Sequence, residues 1–178
     1  MMKLLKTITL LVFVLSATVV FSQNKKDKKV MKDAIKAKKT LLKEVPDLEE
    51  FFDDSAGYVI FPNVGKGGFI IGGASGNGVL YENGNAVGMA SLKKLNIGLQ
   101  AGGQAIIEVI FFETKDDLED FKDGDFEFEA GASAVALKSG VALNAKYRDG
   151  VAVFALPKAG LMADASVGGQ KFNYKPFE

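Results

Sequence analysis

Apolar residues change their spacing several times along this chain, and each change predicts a different element. Between Ile8 and Phe21 they run almost unbroken behind Lys3 and Lys6, and small Ser22 follows. This is the layout of a secretory signal peptide over 1–22, with an apolar run short for a membrane span. An uncleaved N-terminal anchor is the alternative. Residues 23–29 are polar and read as a flexible leader. From Val30 to about Glu44 the spacing becomes helical. Val30, Ala34, Ile35, Ala37, Leu41, Leu42 and Val45 fall within a sector of about 160°, and Lys29, Lys32, Lys36, Lys39 and Lys43 gather opposite them. Only Lys38 interrupts the apolar side. Pro46 stops this helix. Asp47 starts a short second one carrying Leu48, Phe51 and Phe52, with Glu50 at capping-box spacing.

From Gly57 the texture is that of strands. Tyr58–Phe61 is stopped by Pro62-Asn63; Phe69–Ile71 and Val79–Tyr81 follow, and Asn83-Gly84 is a strong hairpin signal. Ala86–Leu92, Leu95–Gly102, Ala105–Phe112, Val135–Leu137, Val141–Tyr147, Val151–Leu156 and Gly160–Val167 continue the pattern, with Arg148-Asp149-Gly150 as a tight turn. Asp116–Lys122 reads as a short acidic helix, and Phe126 and Phe128 alternate with acids as on a half-exposed strand. The predicted fold is α+β: two N-terminal helices followed by a glycine-rich, mostly antiparallel sheet of about ten short strands, barrel- or sandwich-like. Thirteen of the twenty glycines lie between Gly57 and Gly103, which suits sharply coiled strands or close backbone approach. Lys66-x-Gly68-Phe69-Ile70 echoes Lys158-x-Gly160-Leu161-Met162, which predicts two equivalent turns leading into strands.

Composition narrows the function. The 178 residues suit one domain, and they include no Cys, His or Trp. Thiol and imidazole nucleophiles, the Ser-His-Asp triad and Cys or His zinc sites are therefore excluded. Any enzyme would work with carboxylates, Lys or Tyr alone, so the expectation is a binding protein with no catalytic residues, no metal and no cofactor. Without Lys3 and Lys6 the net charge is near −2, but it is segregated. Nine Lys and two Asp lie in 25–43, while nine acids and two Lys lie in 113–129. With Arg148 the only arginine, nucleic-acid binding is a poor fit.

Three patterns carry possible chemistry. Gly65-Lys66-Gly67-Gly68 suggests a phosphate loop but lacks the required spacing and following helix, so tight β turns are the plainer reading. Asp116, Asp117, Asp120, Asp123, Asp125, Glu127 and Glu129 offer oxygen ligands without an EF-hand pattern, and a solvated acidic surface explains them. A carboxylate pair for glycoside hydrolysis cannot be picked from spacing. The cationic amphipathic helix is the most specific. Its apolar side can enter a headgroup boundary while its lysines meet anionic lipid, or it can pack on the sheet and leave the lysines in water.

Val59-Ile60-Phe61-Pro62-Asn63-Val64, Gly67-Gly68-Phe69-Ile70-Ile71-Gly72-Gly73, Gly76-Asn77-Gly78-Val79-Leu80 and Asn96-Ile97-Gly98-Leu99-Gln100-Ala101-Gly102-Gly103-Gln104 occur in order, with Lys158–Ala163 and Asn173-Tyr174 closing the series. This ordered set resembles the SYLF domain family and spans about Val30–Tyr174. Val87 and Met89 stand in the region where the family often has a Trp and a Pro, and Asp164 stands for a usual glycine. The resemblance implies binding of phosphoinositides and other anionic lipids; fungal members also bind actin, a poor fit for an exported protein. It sets the domain at 30–178. The expected partner is an anionic phospholipid membrane surface, met by an exported, periplasmic or extracellular protein peripheral to the membrane. Lys29, Lys32, Lys36, Lys39 and Lys43 would supply charge; Val30, Ile35, Leu41 and Leu42 would supply apolar contact; Lys66 and Lys158 are further candidates. A cell-envelope structural or protein-interaction module, holding a protein partner on its sheet, is the alternative. An outer-membrane β-barrel fits less well, because the strands are short and aromatic girdles sparse.

Overall fold

The computed structural model describes residues 25–124, 127–128, 134–136, 147–167 and 170–177. Helix α1 covers 25–44, so its described part begins five residues ahead of Val30. Helix α2 is Leu48–Asp54. Two long strands follow, β1 (Gly57–Glu82) and β2 (Asn85–Phe112), then α3 (Lys115–Asp123), β3 (Glu127–Phe128), β4 (Ala134–Ala136), β5 (Val151–Val167) and β6 (Gln170–Pro176). The signal-peptide segment 1–22, Asp125, Phe126, Glu129 and the expected strand at 141–146 lie outside the described residues.

The expected α+β class holds, with a mostly antiparallel sheet; among the described residues β4 against β5 is the parallel pair. The barrel expectation is corrected. The sheet path is β3-β6-β2-β5-β4, with β1 pairing β2, and no pairing among the described residues closes the ring. Strand count is corrected too. The three segments expected between Tyr58 and Tyr81 are one strand, as are the three between Ala86 and Phe112. Bulges, rather than breaks, absorb the interrupting residues, with register shifts at Phe61/Val64, Phe69/Ile71 and Leu80/Tyr81. Asn83 (φ 50°) and Gly84 (φ 77°) make the expected hairpin turn, and Asp149 (φ 50°) and Gly150 (φ 76°) make the second.

The long hairpin doubles back on itself. A Cβ on Gly78 would lie 2.6 Å from the Ile60 carbonyl oxygen and 2.7 Å from the Phe61 ring, so Tyr58–Phe61 and the far end of β1 are in close backbone contact. Only a residue without a side chain fits there.

Both faces of the sheet are covered, which is why its strands read as continuous apolar runs. Tyr58, Ile60, Ile107, Val109, Phe111, Ala152 and Phe154 join Ala34, Ala37 and Leu41 of α1 and Leu48 and Phe52 of α2 in one core. Their chain neighbours Val59, Phe61, Ile106, Ile110, Phe112, Val151 and Val153 point the other way, onto Leu118 and Phe121 of α3 and Phe172 of β6. The second helix lacks the capping box its spacing suggested, because Asp47 makes no side-chain cap. A capping box forms instead on α3, where the Asp117 amide donates to Thr114 Oγ1 and the Thr114 amide to Asp117 Oδ2.

Candidate functional site

The first helix docks on the sheet through part of its apolar side and turns its lysines to water. Ala34, Ala37, Leu41 and Val45 are buried, Val30 and Leu42 half-buried. Ile35 alone among the expected apolar contacts is exposed, at 54%. Leu41 is therefore core in this conformation, not surface. Lys29, Lys32, Lys36, Lys39 and Lys43 are all exposed. Lys122 bridges Glu82 at 3.0 Å and Glu119 at 2.7 Å, and among the described residues none of the five ridge lysines is spent on a carboxylate. Lys38, the residue that broke the apolar pattern, is accounted for. Its ammonium donates to the Tyr58 hydroxyl at 3.0 Å and sits 4.2 Å from the Phe52 ring centroid, so a cation is held between the aromatic rings of the α2–β1 corner.

One flank of α1 overhangs a cleft of about 810 Å³. Lys26, Lys29 and Lys36 line it from the helix with Asp33 and Glu44; Lys158 lines it from β5; Asn63, Asn77 and Thr40 add polar groups. Val30, Ala37, Pro62, Ile107, Leu156 and Pro157 supply its apolar wall. Two adjacent bulges shape the sheet side. In β1, Pro62 and Asn63 stand in the register shift between Phe61, opposite Glu108, and Val64, opposite Ile106. In β5, Lys158 is the extra residue between Pro157, opposite Ile106, and Ala159, opposite Ala105. The bulge aims Lys158 across β2, and its ammonium donates to the Pro62 carbonyl at 3.2 Å.

The structure thus brings Lys29, Lys36, Val30 and Lys158 to one place and leaves Lys66 out of it. Lys66 is half-buried on β1 opposite Gln104. The expected pair of turns at Lys66 and Lys158 is corrected. Both segments are extended strand, and they flank the same stretch of β2 on opposite sides, Lys66 and Gly160 both facing Gln104. Gly65–Gly68 is likewise ladder, paired with Gly102–Ala105, rather than a turn or loop. Asp164 lies within β5 opposite Gln100. Among the acids, Asp116, Asp120 and Asp123 are exposed on α3 while Asp117 is engaged in the cap. Among the described residues no three acidic side chains are grouped to hold a metal ion. The cleft residues Lys26, Asn63, Asn77 and Pro157 were missed by pattern reading. The available signal was proline within otherwise regular strands, at Pro62 and Pro157, which marks bulges.

Fold and site together define an α+β protein with a cationic helix docked over a bulged sheet. No protein-family model matches the chain. It is similar to Beta cell expansion factor A of Aeromonas veronii, 31% identical over 134 residues, which is 74% of this chain and 51% of that protein. The chain thus spans about half the length of the curated relative it matches. No helix among the described residues is long and apolar enough to cross a membrane.

Proposed function

We propose that this protein is an exported SYLF-like domain that binds anionic membrane lipid surfaces peripherally, in the periplasm or outside the cell. The observation that carries the reading is the ridge of exposed lysines on a helix already anchored to the sheet. Because Ala34, Ala37 and Leu41 fix the helix, the lysines are presented without a folding cost at the membrane. A lysine near an anionic surface contributes about 1 kcal/mol at moderate ionic strength. Several acting together give useful affinity, and Ile35 adds a small apolar foothold.

Vesicle co-sedimentation tests this. Binding should rise with the fraction of anionic lipid and fall with added salt, since exposed charges are screened beyond about 8 Å at 0.15 M. The triple substitution Lys32→Glu, Lys39→Glu and Lys43→Glu should reduce binding at least a hundredfold. Unchanged binding by that variant, with its melting temperature intact, overturns the reading. Binding to one protein partner without lipid would favour the envelope-module alternative.

A further inference from the structure

The cleft beneath α1 differs in kind from the ridge beside it. It is walled on both sides, and its volume of about 810 Å³ lies within the range of small-ligand sites, about 300–1,000 Å³. Lys26, Lys29, Lys36 and Lys158 face Asp33 and Glu44 there, a formal excess of two positive charges. None of these four lysines forms a salt bridge among the described residues. Behind the charges lies an apolar wall whose accessible part is Val30, Leu156 and Pro157. The sheet side is built by two bulges that stand next to each other on either side of β2, and one of them throws Lys158 across the strand onto Pro62. Bulges recur where a strand must re-aim a side chain at a ligand.

We infer that this cleft seats one anionic amphiphile, a phosphate monoester head on a single acyl chain, with the head among Lys29, Lys36 and Lys158 and the chain against Val30, Leu156 and Pro157. The charge argument selects the head. A phosphate monoester carries about −1.5 to −2 near neutral pH, which matches the excess of two, whereas a carboxylate would leave a positive charge unmatched. The apolar wall selects a chain over a bare ion, because a free phosphate would leave the half-buried Val30 and Leu156 and the exposed Pro157 without an apolar contact. The inference deepens the anionic-lipid reading, on which it rests for ligand class. It adds a stoichiometric seat for one molecule, where the ridge meets an extended surface.

Isothermal titration calorimetry with monomeric lysophosphatidate, kept below its micelle concentration, reads the seat directly. The expected result is saturable one-to-one binding. Lys158→Glu should weaken it tenfold or more, and Asn77→Trp, which fills the cleft mouth from an exposed position, should do the same. The ridge variant with Lys32, Lys39 and Lys43 reversed should change it less than threefold, since none of those residues lines the cleft. In vesicle binding the order reverses, so failure of the seat and failure of the membrane reading are separable. Equal binding of lysophosphatidylcholine would show that the chain alone is recognised and would overturn the proposal. Inorganic phosphate binding as tightly as lysophosphatidate would overturn the amphiphile. No saturable heat, or full affinity in Lys158→Glu, would remove the site. Lys158 is exposed, so that variant decides even if Asn77→Trp melts early.

Discussion

Ile35 separates electrostatic attraction from apolar insertion at the lysine ridge. It is a large aliphatic side chain left 54% exposed on a docked helix. On a helical projection it lies beside Lys32 and Lys39, on the flank away from the cleft. Full burial of such a side chain contributes about 1.5–3 kcal/mol, so the exposed half holds roughly 1 kcal/mol that only a second phase can collect. Replacing it by Ser should therefore weaken partitioning to anionic vesicles about fivefold, at 1.4 kcal/mol per tenfold. Ser and Ile have similar helix propensities, so the fold should be little changed. Leu41→Ser is the contrasting control: Leu41 is fully buried, and its loss should lower the stability of the whole domain by about 2–5 kcal/mol. The assay is vesicle co-sedimentation over a salt series, with thermal melts of each variant. Ile35→Ser should shift the binding curve while leaving its salt slope unchanged. Wild-type binding by Ile35→Ser would refute insertion and leave a purely electrostatic contact.

Two further outcomes follow from the packing. Gly78→Ala places a Cβ 2.6 Å from the Ile60 carbonyl and should cost about 1–3 kcal/mol in denaturant unfolding, whereas Gly65→Ala, with nothing within 4 Å, should not incur that steric cost. The Tyr147 hydroxyl is buried without a hydrogen-bond partner among the described residues, and burial first, then Glu113 and Asp54, push its pKa up to about 12. The unfolded chain ionises near 10 while the folded one stays neutral, so stability is fully present below about pH 10 and declines as pH rises towards 12. Tyr147→Phe should melt no earlier than wild type at pH 7 and show a shallower decline between pH 10 and 12. An unchanged alkaline slope would mean that Tyr147 does not govern it.

How much was legible in advance depended on the range over which each feature is decided. The segregation of lysines from apolar residues on α1 is local, because a 3.6-residue period assigns every side chain to a face whatever lies beyond it. The turns at Asn83-Gly84 and Asp149-Gly150 are local for the same reason, since two residues with positive φ suffice to reverse a strand. The α3 helix was also read within a residue of its ends, between Thr114 and Gly124. Strand lengths were misread because Pro62-Asn63 and Lys158 look like stops in one dimension. With a partner strand running past, each becomes a bulge, and the ladder resumes on the other side.

The residues of this chain by themselves determined that a positively charged helix precedes a glycine-rich sheet. Its tertiary structure decided which lysines meet a surface and which line a cleft, and why Ile35 stays exposed while Leu41 is buried. Periodicity places both leucine and isoleucine on an apolar side; docking on the sheet covers only part of that side, taking in Ala34, Ala37 and Leu41 and leaving Ile35 out. The cleft depends on Asn63 and Lys158, ninety-five positions apart, being brought to neighbouring bulges across β2. Such a meeting is fixed by strand register, which is a property of pairing between segments and not of any one of them.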